Sequence, residues 1–161
     1  MSFKDQAELF AQSLEYGFRT VAEVIAWADK NIAQLEMPPH WLLELSLMGQ
    51  AKGQDVLHVL RHVEGVADDQ KVNQGIFSLL LEQMNSNRMT GNRVVHFLLS
   101  RNRNMEFSFS EAVCQELDRF HAAYEDWFEV SNKSDLDRKL IAFLERQSRP
   151  FLIPESSRLF P

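Results

Sequence analysis

Apolar residues return along this chain every three or four positions, the period of a helix that buries one face. Phe3, Ala7, Phe10, Ala11 and Leu14 follow that period, and Gly17 stands where such a helix would end or kink. A second helix opens at TVAE, where Thr20 can cover a free amide while Glu23 reaches back to it, a capping box. Its apolar face is Val21, Val24, Ile25, Ala28 and Ile32. Pro38 and Pro39 cannot continue a helix interior but suit a first turn, so a third helix begins there and stops near Gly49. Leu42, Leu43, Leu45, Leu47 and Met48 surround most of its axis, leaving only Glu44 and Ser46 polar, which predicts a central helix.

The rhythm continues to the end of the chain. Helices are predicted at 54–63 and 69–86, separated by Gly65, and a sixth opens at Thr90 or Gly91. In SFSE, Ser108 and Glu111 form a capping box for a seventh helix reaching Val130. Ser134 with Asp137 caps an eighth, which carries Leu136, Leu140, Ile141, Phe143 and Leu144. No segment alternates like a strand, and no repeat consensus or low-complexity stretch is visible. The expected fold is all-α, a compact single-domain bundle of seven or eight helices over residues 1–148. Residues 149–161, RPFLIPESSRLFP, form an extended tail because internal prolines forbid a regular helix.

Size and charge narrow the functional classes. A chain of 161 residues can bury a core of its own without a staple, and the single cysteine, Cys114, cannot form an internal disulfide. Lys4, Asp5 and Glu8 stand where a signal peptide would be apolar, and IFSLLL is too short to span a bilayer, so a cytoplasmic protein without membrane contact is expected. A net charge of −6 disfavours nucleic acid and anionic lipid as partners, since both require a cationic surface.

That charge is not spread evenly. Arg88, Arg93, Arg101 and Arg103 lie in a stretch with no acid, a candidate anion-binding segment. From Glu106 to Glu129 seven acids face Arg119 alone, a local excess equal to the whole net charge. Helical spacing gathers Glu111, Asp118, Glu125 and Glu129 on the side opposite Phe109, Val113, Leu117, Phe120, Tyr124 and Trp127. This row is the candidate surface for a basic protein partner.

Catalytic signatures are absent: the chain has no nucleophile elbow, phosphate loop or dinucleotide fingerprint. His58 and His62 share a helical face but lack further ligands, and His121 with Glu125 reads as a surface ion pair, so no metal and no cofactor are expected. Cys114 and the tryptophans Trp27, Trp41 and Trp127 read as packing residues. An alternative reading is a helical enzyme or small-ligand protein in which Glu44 and His40 supply acid or base groups beside a pocket.

The phrase VIAWADKNIAQLEMPPHWLLELSL, Val24 to Leu47, resembles small helical bacterial proteins of unknown function, some of them immunity proteins of toxin systems. The resemblance implies a non-catalytic inhibitor or adaptor and carries over no functional residue. Together with the acidic row it leads to an expectation of protein binding.

Overall fold

The helix starts after Ser2, Thr20 and Ser110 are set by short polar side chains that satisfy amides which have no partner inside the helix. The computed structural model describes residues 1–103, 109–126 and 133–149. Its helices are α1 (Phe3–Glu15), α2 (Val21–Ile32), α3 (His40–Ser46), α4 (Gly53–Arg61), α5 (Asp69–Asn85), α6 (Gly91–Arg103), α7 (Glu111–Glu125) and α8 (Lys133–Ser148). There is no strand among the described residues. The all-α expectation therefore holds, and none of these helices is long and apolar enough to cross a membrane.

The capping box before α2 forms as its sequence indicates. The Thr20 hydroxyl oxygen accepts from the Glu23 amide at 3.3 Å, and the Glu23 carboxylate accepts from the Thr20 amide at 2.7 Å. A second box, Ser2 with Asp5, opens α1. The seventh helix departs from expectation. Ser110 is its cap, accepting from the Val113 amide at 3.4 Å, so the residue that would reach back is an apolar valine and no box forms. This cap moves Glu111 into the first turn, where its charge still favours the helix dipole. The helix ends at Glu125 with Asp126 as its C-cap; Ser108 and residues 127–132 lie outside the described residues.

The described residues group into two compact units, one spanning Met1–Val72 and the other beginning at Asn73, within α5. In the first, α1 packs on α4, α2 on α3, and α3 on α4. Ala7, Ala11 and Ala28 are fully buried, and their small side chains let backbones approach around Phe10, Val24, Leu42, Leu45, Val56 and Leu60. Each such leucine contributes roughly 1.5–3 kcal/mol through burial. Phe10 lies 4.5 Å from Trp27, and Trp27 stacks on Trp41 at 6.0 Å, so both tryptophans act in packing. Trp27 is anchored at its polar end by donating its indole N–H to Gln6 Oε1 at 3.2 Å. The Lys4 ammonium donates to the Arg61 carbonyl at 3.0 Å, covering an orphan acceptor at the end of α4.

In the second unit, α6 packs on α7, and both contact α8. Ile76, Leu79 and Leu80 of α5, Val94, Val95 and Leu98 of α6, Leu117 of α7, and Leu140 and Leu144 of α8 are buried. Phe77 meets Phe109 at 5.5 Å and Phe143 at 5.9 Å, and Phe143 meets Phe120 at 5.6 Å, an aromatic chain that joins α5, α7 and α8.

One backbone device occurs in both units. After α1, the Phe18 and Arg19 amides both bond the Ser13 carbonyl, and Gly17 takes a left-handed φ of 72°. After α5, the Arg88 and Met89 amides both bond the Gln83 carbonyl, and Asn87 takes a φ of 55°. Thr20 and Thr90 then follow, each accepting through its carbonyl from a valine, Val24 or Val94. Glycine and asparagine are the residues that tolerate this left-handed position at a helix end. A sequence without a repeat consensus thus folds around the same helix-to-helix corner twice.

The third helix is not central. Leu42 and Leu45 are buried, but Leu43 is exposed, and Leu47, beyond the last turn, is 87% exposed. A helix from His40 to Ser46 is too short to be enclosed on all sides; Met37, 89% exposed, stands just before it. Met37, Leu43 and Leu47 are apolar groups left in water.

Candidate functional site

Two helices of the second unit concentrate the polar chemistry. Along α7, Leu117 is buried, Val113, Phe120 and Tyr124 are half-buried, and Glu111, Asp118 and Glu125 are exposed on the remaining side. Glu111 accepts from Gln115 Nε2 at 3.1 Å, a contact one turn along the same helix. Glu116 is half-buried and paired with Arg146 at 2.6 Å, which removes it from the row. Glu129 lies outside the described residues.

At the C-terminal end of the row the surroundings change. The Glu125 carboxylate is 3.7 Å from His96 Nε2 of α6, and the His96 ring meets the His121 ring edge-on at 4.9 Å. His121 and Glu125 are one turn apart and share a face of α7, while His96 comes from the packed neighbour. The three side chains offer nitrogen or oxygen atoms that all lie within 4.8 Å of one another. His121 Nδ1 is shielded from solvent and has no hydrogen-bond partner among the described residues. The His121–Glu125 spacing was legible in the sequence, but His96, on another helix, was not.

A hydrogen bond close in sequence to this group joins α7 and α8. The Tyr124 hydroxyl donates to Asp137 Oδ1 at 2.6 Å, and it does so across Gly91, the first residue of α6. A methyl group on Gly91 would overlap both the Tyr124 hydroxyl and the Asp137 carboxylate. Burial first, then the bond to Asp137 and its charge, push the Tyr124 phenol well above its ordinary value, so it stays a donor in any ordinary buffer. Asp137 also borders an open groove of about 720 Å³, whose apolar wall is Met84, Met89 and Ile141 and whose cations are Lys133 and Arg138.

The arginine segment does not assemble one surface. Arg88 and Arg93 are exposed, whereas Arg101 is 2% exposed and one of its guanidinium nitrogens donates to Asn73 Oδ1 at 3.4 Å. Arg101 falls three residues past Leu98 and seven past Val94, on the core stripe of α6, and that register places it inside. Arg103 closes α6.

Glu44 and His40 are both exposed on α3. A carboxylate kept in a dry site would need burial, so Glu44 is placed as a charge that reaches water beside the buried Leu42 and Leu45. His58 and His62 are exposed with rings 4.0 Å apart, and His62 Nδ1 lies 2.7 Å from the His58 carbonyl, which occupies that nitrogen with a backbone bond. Cys114 is a free, half-buried thiol. No family model, curated protein or solved structure matches this chain. The functional reading therefore rests on the side chains themselves.

Proposed function

We propose that this protein acts by binding a basic protein partner through the acidic face of α7, without catalysis of its own. The observation that supports this reading is the exposed row Glu111, Asp118 and Glu125 on a helix whose sole arginine or lysine is Arg119. Like charges two turns, about 10 Å, apart along one exposed helix face repel one another weakly in the free chain. A positive surface opposite the row relieves that repulsion and accelerates encounter. The mechanism is electrostatic and steric occlusion of a basic surface, such as the active site of a nuclease-like partner. This agrees with the inhibitor or adaptor role implied by the sequence resemblance.

Charge reversal tests it. Glu111→Lys with Asp118→Lys alters two exposed positions and spares Glu125, which faces His96. The double variant is expected to keep its circular dichroism spectrum and thermal midpoint. Its association with a basic protein retained by the immobilised wild type should slow by about tenfold. Raising salt from about 0.05 to 0.5 M should weaken the wild-type complex in the same direction. Equal association rates for wild type and double variant would remove α7 as the docking face.

A further inference from the structure

We propose that His96, His121 and Glu125 form a binding site for a divalent transition-metal cation, with zinc as its natural probe. The site lies between α6 and α7 and does not depend on the protein-binding role. Two imidazoles and a carboxylate are the ligand set of an open, three-coordinate protein site for such an ion. Nitrogen donors select against magnesium and calcium, which take oxygen ligands.

Three observations carry the proposal. The first is convergence: donor atoms from two helices come within 4.8 Å of each other. Around a tetrahedral ion with ligands at about 2.0–2.1 Å, donor atoms stand about 3.3 Å apart. The approach needed is therefore on the order of 1.5 Å, within reach of side-chain rotation for the exposed His96 and Glu125. The second is the orphan nitrogen. His121 Nδ1 is withdrawn from water with no partner among the described residues, and a buried polar atom of this kind calls for a ligand, ion or water to satisfy it.

The third is support. Gly91, by lacking a side chain, lets Tyr124 bond Asp137 across the start of α6, and Tyr124 is adjacent to Glu125 in the chain. That bond ties α7, which carries His121 and Glu125, to α8 beside the first residue of α6, the helix that carries His96. Geometry held by such neighbours is what separates a metal site from a chance cluster. The remaining coordination position is open to water or to a donor from a bound partner.

The test uses the full chain, stripped of metal with a chelator and titrated with zinc chloride by calorimetry, with cobalt absorption to report coordination geometry. The wild type is expected to bind one zinc per chain, and bound cobalt should show the intense visible bands of a tetrahedral site. His96→Ala, His121→Ala and Glu125→Gln should each weaken binding by about 100-fold or more, since even the hydrogen-bond partners of ligands are worth 10–100-fold. His96 and Glu125 are exposed, so their variants should keep the wild-type circular dichroism spectrum and make the loss attributable to the site. His58→Ala with His62→Ala should leave binding unchanged. Absence of stoichiometric binding by the wild type at zinc concentrations up to about 100 μM would overturn the proposal. So would binding lost in the His58 and His62 variant but kept in the His96 variant.

Discussion

Replacing Asp5 by alanine is expected to lower the unfolding free energy by about 2–4 kcal/mol, measured by urea denaturation near neutral pH. Asp5 is 2% exposed and joins two distant parts of the first unit. One carboxylate oxygen accepts from the Ser2 amide at 2.7 Å, closing the capping box of α1. The other accepts from the Asp68 amide at 2.7 Å, just before α5 begins. Alanine leaves both amides without their acceptor and removes the return half of the capping box, while the Ser2 hydroxyl still accepts from the backbone amide of position 5, so the loss exceeds that of one ordinary hydrogen bond. Asp5→Asn keeps the shape and one acceptor, and should recover part of the loss.

The pH dependence of that effect follows from the charge. Burial by itself would raise the Asp5 carboxyl, but the bonds from the Asp68 and Ser2 amides, the Ser2 hydroxyl and the Lys71 charge outweigh it and hold it below its ordinary 3.8. A group depressed in the folded state contributes stability that is complete above its unfolded value and is lost as pH falls through the folded one. Glu23 behaves alike: burial raises it, while Thr20 and Arg19 hold it below 4.5. The stability gap between wild type and Asp5→Ala should be constant near neutrality and narrow below pH 3.8. A gap that stayed constant into strong acid would show that the Asp5 charge is not what holds the two segments together.

The second large effect is expected at Gly91. Gly91→Ala should cost about 2–3 kcal/mol, because the added methyl overlaps the Tyr124 hydroxyl and the Asp137 carboxylate and displaces one from the other. Alanine is ordinarily the better helix residue, so the sign of the change is informative. Gly53→Ala is the matched control: Gly53 also begins a helix, and its added carbon would meet nothing within 4 Å. It should be neutral or slightly stabilising. Tyr124→Phe removes one of the two colliding oxygens, so Gly91→Ala should cost less in that background than in the wild type, a coupling measured by a double-mutant cycle. Purely additive effects would place the strain elsewhere.

How much of this was readable in the sequence depended on whether a feature was local. The Thr20–Glu23 box and the helical period depend on residues a few positions apart, and both appear as read. The acidic row of α7 is likewise a matter of spacing along one helix. Arg101 was also legible in principle, since its register with Val94 and Leu98 is that of a core position, but its charge suggested a surface. The cap of α7 lies two residues beyond the expected Ser108, at Ser110, whose oxygen accepts from the Val113 amide.

Features that join separate segments were not visible. Nothing near His121 in the chain announces His96, and nothing near Gly91 announces the Tyr124–Asp137 bond above it. The recurrence of the corner at Gly17 and Asn87 has no sequence signature because it is a backbone hydrogen-bond pattern, which glycine and asparagine both satisfy and neighbouring side chains need not share. The enclosure expected for α3 failed because a stretch rich in leucine says nothing about how many turns the helix will have.

The boundary inside α5 has a consequence for how the chain opens. Amide hydrogens exchange with solvent through fluctuations of cooperative segments. The Asp68 amide, bonded to Asp5, reports on the first unit, while the Leu79 and Leu80 amides further along α5 report on the second. The two reporters therefore lie close along the chain, one just before α5 and the other within it. Protection gained on adding a cation, if confined to α6, α7 and the later turns of α5, would map the ligand's grip on the fold residue by residue.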